Sequence, residues 1–393
     1  MKLLHVIPYY APAWAYGGVV RAATDLTRAL AEAGHEVHVL TTDTLNPTAR
    51  IATPIEIIDD VHVYRVPNWN NALRGKFNLS SPRGIAAATR AITADAGIEL
   101  VHCHEVRTVE NLRVTRAARG LGLPIAVSPH GTLPLDTGRP AIKKGWDRVF
   151  GRGLLRRFDR VIALTGSEAA DARTIWGNCG VPLPAERIAI VPNGVHVGDY
   201  ANLPDPVRFR AQWGLGDGPV VLFLGRLHER KGAQFLIPAF AEQIPTARLL
   251  MVGPDEGMLA TLQAQVQEYN LQDRVIFTGL LTGADKLAAL AAADVFAMPA
   301  VGEGFSMAVL EAMACGLPVL LTPGCNFPEA AEAGAGLVVE RTVPAVVEGL
   351  RALLLDATRR ANMGRAAREL VHARYTWPQV VRQLEQVYEG MKR

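Results

Sequence analysis

The chain has 393 residues, 49% of them hydrophobic and 20% charged, with a formal net charge of +3. That is too long for one ordinary core and suits a soluble enzyme of two domains. The first 198 residues carry 23 basic and 17 acidic side chains and the rest 18 and 21, but no basic run is interleaved with stacking aromatics, so nucleic acid is excluded as an expected partner.

At the N-terminus the apolar run of MKLLHVIPYYAPAW stops at Pro8, which reads as a first buried strand and not as a signal peptide. Short β-branched runs then alternate with amphipathic helical patterns, which predicts parallel sheets with helices on both faces. Strands are expected over 2–7, 36–41, 61–66, 100–104, 125–128, 161–163 and 188–191, with a first crossover helix over 18–34. The stretch 195–206, rich in Gly, Asp, Asn and Pro, marks a boundary. Beyond it the pattern restarts, with strands over 220–224, 248–252, 275–278, 295–298, 319–321 and 337–339. Helices are expected over 234–243, 258–269, 284–292, 307–314, 344–355, 362–372 and 375–392. The fold class is α/β, two Rossmann-like domains facing each other across a cleft, over 1–197 and 198–373, with a tail over 374–393.

Cys103, Cys179, Cys315 and Cys325 are widely spaced without a CxxC, so neither a zinc framework nor a disulfide set is expected, and a reducing cytoplasm is the default. No uncharged apolar stretch approaches the length of a membrane span. The stretch 141–157 places Ile142, Trp146, Val149, Phe150 and Leu154 on one face and Lys143, Lys144, Arg148, Arg152 and Arg156 on the rest. It reads either as a core-packed helix with a basic exterior or as an interfacial helix drawn to anionic lipid.

The run 301–318, VGEGFSMAVLEAMACGLP, is the most informative segment. Glu303 stands in a glycine-flanked loop and Glu311 in the helix that follows, with Ser306 as the expected N-cap and Gly316 and Pro318 as the stop. Such a helix aims unpaired N–H groups and partial positive charge at an anion in the loop, naturally a phosphate. Two carboxylates at this spacing can accept hydroxyl protons from sugar rings on either side of it, the layout of a nucleotide-sugar. Arg226 and Lys231, in LGRLHERKG after strand 220–224, are two cations at a strand end that suit a leaving diphosphate. Gly17 and Gly18 open the first helix, where a ligand can approach backbone closely. His130 follows strand 125–128 and precedes Gly131, so its side chain stands at a strand end. His102 and His104 share a strand face but lack a third ligand at a telling spacing, so no metal site is assigned. Ser167 and Glu168 read as a capped helix start. No Asp-x-Asp occurs to hold a divalent ion on a diphosphate, and neither metal nor cofactor is expected.

The Glu-x7-Glu spacing set in EGF-small-x-x-x-LEAMA-CG-x-PV resembles the donor-site signature of the retaining GT-B glycosyltransferases of family four. The resemblance covers nearly the whole chain, most specifically 225–232 and 301–318. It implies transfer of a sugar from a nucleotide-sugar to a glycan or lipid-linked acceptor hydroxyl, with retention, in polysaccharide or glycolipid assembly. The cysteine usage makes the expected location cytoplasmic, and the interfacial reading of 141–157 makes it peripheral at the inner face of the membrane. By the same resemblance the catalytic residues are His130, Arg226, Lys231 and Glu303. The donor contacts are Gly17, Gly18, Gly253, Leu281, Gly304, Phe305, Ser306, Met307 and Glu311, and His104 borders the acceptor. The resemblance places the last helix back on the first domain. The family usually follows its PNGV turn with an aspartate, where His196 stands here. Two alternatives stay open at this point: a nucleotide-sugar epimerase on the same scaffold, and a non-catalytic sugar-nucleotide-binding protein.

Overall fold

A computed structural model describes residues 1–71, 80–135, 139–241 and 247–392. They divide into two compact units, Met1–Gly194 with Trp377–Arg393, and Val195–Thr376. The division falls directly after the Asn193-Gly194 turn.

In the first unit the strands are β1 (Lys2–Val6), β2 (Glu36–Thr42), β3 (Ile55–Ile58), β4 (Val61–Val66), β5 (Leu100–His104), β6 (Ile125–Ser128), β7 (Arg160–Ala163) and β8 (Ile188–Ile190). They form a sheet in the order β3-β4-β2-β1-β5-β6-β7-β8, parallel except for the β3–β4 pair. The sequence reading missed β3. Asp59 and Asp60, with φ of 49° and 61°, make the tight turn that folds β3 back onto β4. Because Ile55 and Ile57 are each 63% exposed, β3 has no buried apolar run to announce it.

The second unit has β9 (Val220–Leu224), β10 (Arg248–Val252), β11 (Val275–Gly279), β12 (Val295–Met298), β13 (Val319–Leu321) and β14 (Gly336–Val338), in the order β11-β10-β9-β12-β13-β14. All its pairs are parallel. Strands β9 and β12 are buried along their whole length, as a sheet covered on both faces requires. In each sheet the order reverses at one strand: β1 lies between β2 and β5, and β9 between β10 and β12. The loops leaving the carboxyl ends beside such a strand form the crevice where open α/β sheets take ligands.

The helix Trp377–Glu389 belongs to the first unit. It buries Val380, Val381, Leu384 and Tyr388 against Leu3, Ile7 and Leu100. The expected helix over 234–243 is seen as Ala233–Ala241, and its end at 242–243 lies outside the described residues. The stretch 141–157 is not one regular helix: Pro140–Trp146 passes through a wide turn, Asp147–Gly151, into Arg152–Leu155.

Candidate functional site

In the second unit the loops after β9 and β12 are drawn together. The Val301 N–H donates to the Arg230 carbonyl at 2.8 Å, and Arg341 bonds both the Pro299 and the Glu229 carbonyls at 2.9 Å. Gly232 makes this approach possible. Its φ is +80°, and a Cβ there would meet the Pro299 carbonyl oxygen at 2.0 Å. The turn therefore delivers Lys231 to the neighbouring loop, where its Nζ lies 2.6 Å from Glu303 Oε2. Both side chains are largely buried, at 16% and 13% exposure. Glu303 is held from behind: its N–H donates to the Gly324 carbonyl at 3.0 Å and its carbonyl accepts from Asn326.

The helix Met307–Ala314 starts directly beyond. Ser306 occupies the cap position, but its hydroxyl makes no capping bond and lies 3.9 Å from the Met298 sulfur instead. The first-turn N–H groups are left without that partner. Phe305 packs its ring on Phe327 and Tyr375, so the ring anchors the loop and its backbone remains for a ligand. Glu311 is buried in this helix and receives Lys286 Nζ at 2.8 Å. Arg226 pairs with Glu256 through both carboxylate oxygens, at 2.6 and 2.5 Å, with both side chains over a third exposed. Lys286 and Glu256 were not singled out by the sequence reading. The Gly253 N–H is spent on the Gly279 carbonyl at 2.9 Å. Leu281 packs at the edge of the core with part of its surface open.

In the first unit Gly17 has φ of 87° and precedes the helix Gly18–Glu32 as its cap residue. Gly18 has open space where a Cβ would stand. His5, His102 and His104 share one face because β1 and β5 pair in register, His5 opposite His102. His5 supplies the third imidazole that the sequence spacing lacked, and one ring nitrogen from each of the three lies within 4.8 Å of the others. Both nitrogens of His102 and of His104 are engaged with protein groups, as is Nδ1 of His5. His102 meets the Tyr388 hydroxyl at 2.7 Å and Ser128 Oγ at 2.8 Å, while His104 meets His5 at 3.0 Å and His130 at 2.8 Å. An ion held by all three would displace those bonds.

His104 is fully buried with its Nδ1 on His130, so, contrary to the expectation, it has no exposed surface of its own to border an acceptor. Burial lowers the pKa of His5 to about 3 and of His130 to about 4, and holds His102 and His104 well below the ordinary imidazole range. Glu168 accepts from the Gly131 N–H and from the Leu164 N–H, the latter at 2.7 Å, and so ties down the loop that carries His130. Burial pushes its carboxyl up to about 7, against those two bonds.

The stretch after Arg139 exposes Lys144, Arg148, Arg152 and Arg156 together with several of its apolar side chains, while Lys143 is half-buried with its ammonium on the Pro134 carbonyl. Val149 is 70% exposed, Phe150 41% and Ile142 39%, whereas Leu154 is buried. The core-packed reading of this face therefore fails for three of its five apolar residues. Arg107 anchors the segment through a two-pronged pair with Asp147 at 2.8 Å. No helix among the described residues is long and apolar enough to cross a membrane.

Residues 208–370 match the family model described as glycosyl transferases group 1, and residues 17–194 match that of the glycosyl transferase 4-like domain. The chain is 37% identical to a GDP-mannose-dependent alpha-(1-6)-phosphatidylinositol monomannoside mannosyltransferase of Mycolicibacterium smegmatis, over 49% of this chain and 54% of that protein. It thus spans about half the length of that relative. It is 29% identical to a D-inositol 3-phosphate glycosyltransferase of Acidothermus cellulolyticus, over 95% of this chain and 85% of that one. Among solved structures, sucrose-phosphate synthase from Thermosynechococcus elongatus superposes with a TM-score of 0.75 at 23% identity, over 99% of this chain and 98% of that one. HepE of Anabaena, solved with UDP and glucose, gives 0.76 at 20% identity over 99% and 100%. These two likenesses show the fold.

Proposed function

Because the chain belongs to the glycosyl transferases group 1 family and has its GT-B fold, we propose that it moves a sugar from a nucleotide-sugar to an acceptor hydroxyl, with retention at the anomeric carbon and without a metal. The observation that carries this reading is the Lys231–Glu303 pair at the head of the Met307–Ala314 helix, beside the strand where the sheet order reverses.

The diphosphate of the donor lies against the first turn of that helix. Lys231 turns from Glu303 to a phosphate oxygen, and Glu303 accepts hydroxyl protons of the sugar in its place. Arg226 leaves Glu256 for the diphosphate at little cost, since so exposed a pair contributes about 0–1 kcal/mol. Glu311, steadied by Lys286, takes the ribose hydroxyls. The backbone of Gly304, Phe305, Ser306 and Met307 completes the donor contacts, Gly253 and Leu281 border the base, and Gly17, Gly18 and His130 serve the sugar and the acceptor. As the bond from the anomeric carbon to the β-phosphate oxygen breaks, its electron pair goes to that oxygen. The cations and helix N–H groups stabilise the charge that develops there. The leaving phosphate oxygen takes the acceptor proton while the acceptor oxygen bonds to the same face of the sugar. No carboxylate nucleophile is required.

The GDP-mannose and phosphatidylinositol glycolipid in the relative's name make these the first donor and acceptor class to test. A lipid-linked acceptor agrees with a peripheral seat at the inner face of the membrane, where Lys144, Arg148, Arg152 and Arg156 meet anionic headgroups and Val149 and Phe150 enter the interface. The test is transfer from GDP-mannose and other nucleotide-sugars in excess chelator, with the product's anomeric configuration read by NMR. Retained configuration in chelator supports the proposal, and inversion or strict dependence on added divalent ion refutes it.

A further inference from the structure

We propose that His5 and His104 are positioning residues that fix the ring of His130 as the neutral tautomer protonated on Nδ1, leaving that N–H to donate to an oxygen of the bound substrate. The substrate half of this statement rests on the function proposed above; the ring chain stands on its own geometry.

His5 Nδ1 lies 3.0 Å from His104 Nε2, and His104 Nδ1 lies 2.8 Å from His130 Nε2. A neutral imidazole has one donor and one acceptor nitrogen, so two such contacts in series must run in one direction. If they ran from His130 inward, His5 Nε2 would carry a proton. That atom is buried and has no hydrogen-bond partner. If they run outward from His5, the same atom is a bare lone pair. A buried N–H without an acceptor is rarer and costlier than an unused acceptor, so the outward direction prevails. His5 Nδ1–H then donates to His104, His104 Nδ1–H donates to His130 Nε2, and the His130 proton is left on Nδ1.

The surroundings keep this chain intact. His102 is satisfied separately by Tyr388 and Ser128, so it does not compete for His104. The low imidazole pKa values keep protonation from placing N–H against N–H within the chain. His130 has φ of 57°, and Glu168 secures the next peptide by accepting from the Gly131 N–H. Backbone and ring are thus each held from the protein side, and among the described residues no group bonds His130 Nδ1. The opposite tautomer would turn a lone pair outward, which can accept from a hydroxyl but can donate to no substrate oxygen.

The test is long-range proton–nitrogen NMR on the full-length protein labelled with nitrogen-15, His130 being assigned by the signals lost in His130→Asn. The expected spectrum has a protonated Nδ1 and a bare Nε2 on both His104 and His130. In His5→Phe the single tautomer of His130 gives way to a mixture, and kcat falls about tenfold with little change in donor KM. An Asn side-chain nitrogen overlies imidazole Nδ1 and that of Gln overlies Nε2, so His130→Asn should exceed His130→Gln in kcat by about tenfold. A His130 protonated on Nε2 in the wild type overturns the proposal, as does a tautomer unmoved by His5→Phe. If the tautomer is as expected but all His130 variants turn over at the wild-type rate, the chain stands and the substrate contact fails.

Discussion

Replacing Lys231 with alanine separates what its ion pair does for the fold from what it does for the reaction. In the resting protein the ammonium offsets a carboxylate that is only 13% exposed. Deleting it strands Glu303, and breaking a buried pair in this way costs about 3–5 kcal/mol; the residual exposure puts this one at the lower end. In the proposed reaction the ammonium instead faces the leaving diphosphate. Two unit charges about 4 Å apart at an effective dielectric of about 20 interact by about 4 kcal/mol, so even half of that, lost only in the transition state, slows turnover at least thirtyfold and the full amount about a thousandfold. We expect Lys231→Ala to lower kcat by about a hundredfold, inside that range. The assay is release of nucleoside diphosphate at saturating donor, paired with urea unfolding. Lys231→Met combined with Glu303→Gln should recover most of the lost stability, because neither charge is then stranded, and none of the lost rate. Near-normal turnover by folded Lys231→Ala refutes the reasoning.

Stability should fall on acidification. His5, His102, His104 and His130 have pKa values lowered by burial, so the unfolded chain binds more protons below pH 6.5; their contribution is complete above 6.5 and is lost as pH falls towards 4. Glu168, raised to about 7, acts in the opposite sense, losing its contribution as pH rises from 4.5, but it is one group against four. Urea midpoints should therefore drop between pH 7 and pH 5, at up to about 1.4 kcal/mol per pH unit for each net proton, and a flat profile would contradict the burial of these rings. Gly232→Ala should cost at least about 2 kcal/mol in urea unfolding, because its Cβ meets the Pro299 carbonyl and φ is positive. Ser306→Ala should change stability by less than about 0.5 kcal/mol, since the hydroxyl caps nothing; a loss near 1 kcal/mol would show a cap in solution. Val149→Glu with Phe150→Glu should abolish co-sedimentation with vesicles of anionic phospholipid while leaving turnover of a water-soluble acceptor intact; unchanged sedimentation removes this face from the membrane account.

Much of the second unit was legible because its candidate site groups sit in short runs with fixed local geometry. The runs LGRLHERKG and EGFSM each join a buried strand to a helix start, so period and punctuation place Lys231 and Glu303 in those loops and the family resemblance singles them out. What bonds to those groups was less legible. Arg226 meets Glu256 and Glu311 meets Lys286 only because neighbouring strands and helices bring distant segments together, which no local spacing encodes. His5 was missed for the same reason: it stands 99 residues before His104, and only the β1–β5 pairing makes them neighbours. Ser306 shows the converse limit. Its residue type marked the helix boundary correctly, but the direction of its hydroxyl depends on how the loop folds back on Met298, at the end of β12.

The most direct measurement is a crystal structure with a nucleoside diphosphate bound. The account predicts Lys231 Nζ within about 3 Å of a phosphate oxygen, and the phosphate against the first turn of the Met307–Ala314 helix. It also predicts Glu303 released from Lys231. A diphosphate bound elsewhere, with Lys231 still on Glu303, would contradict it.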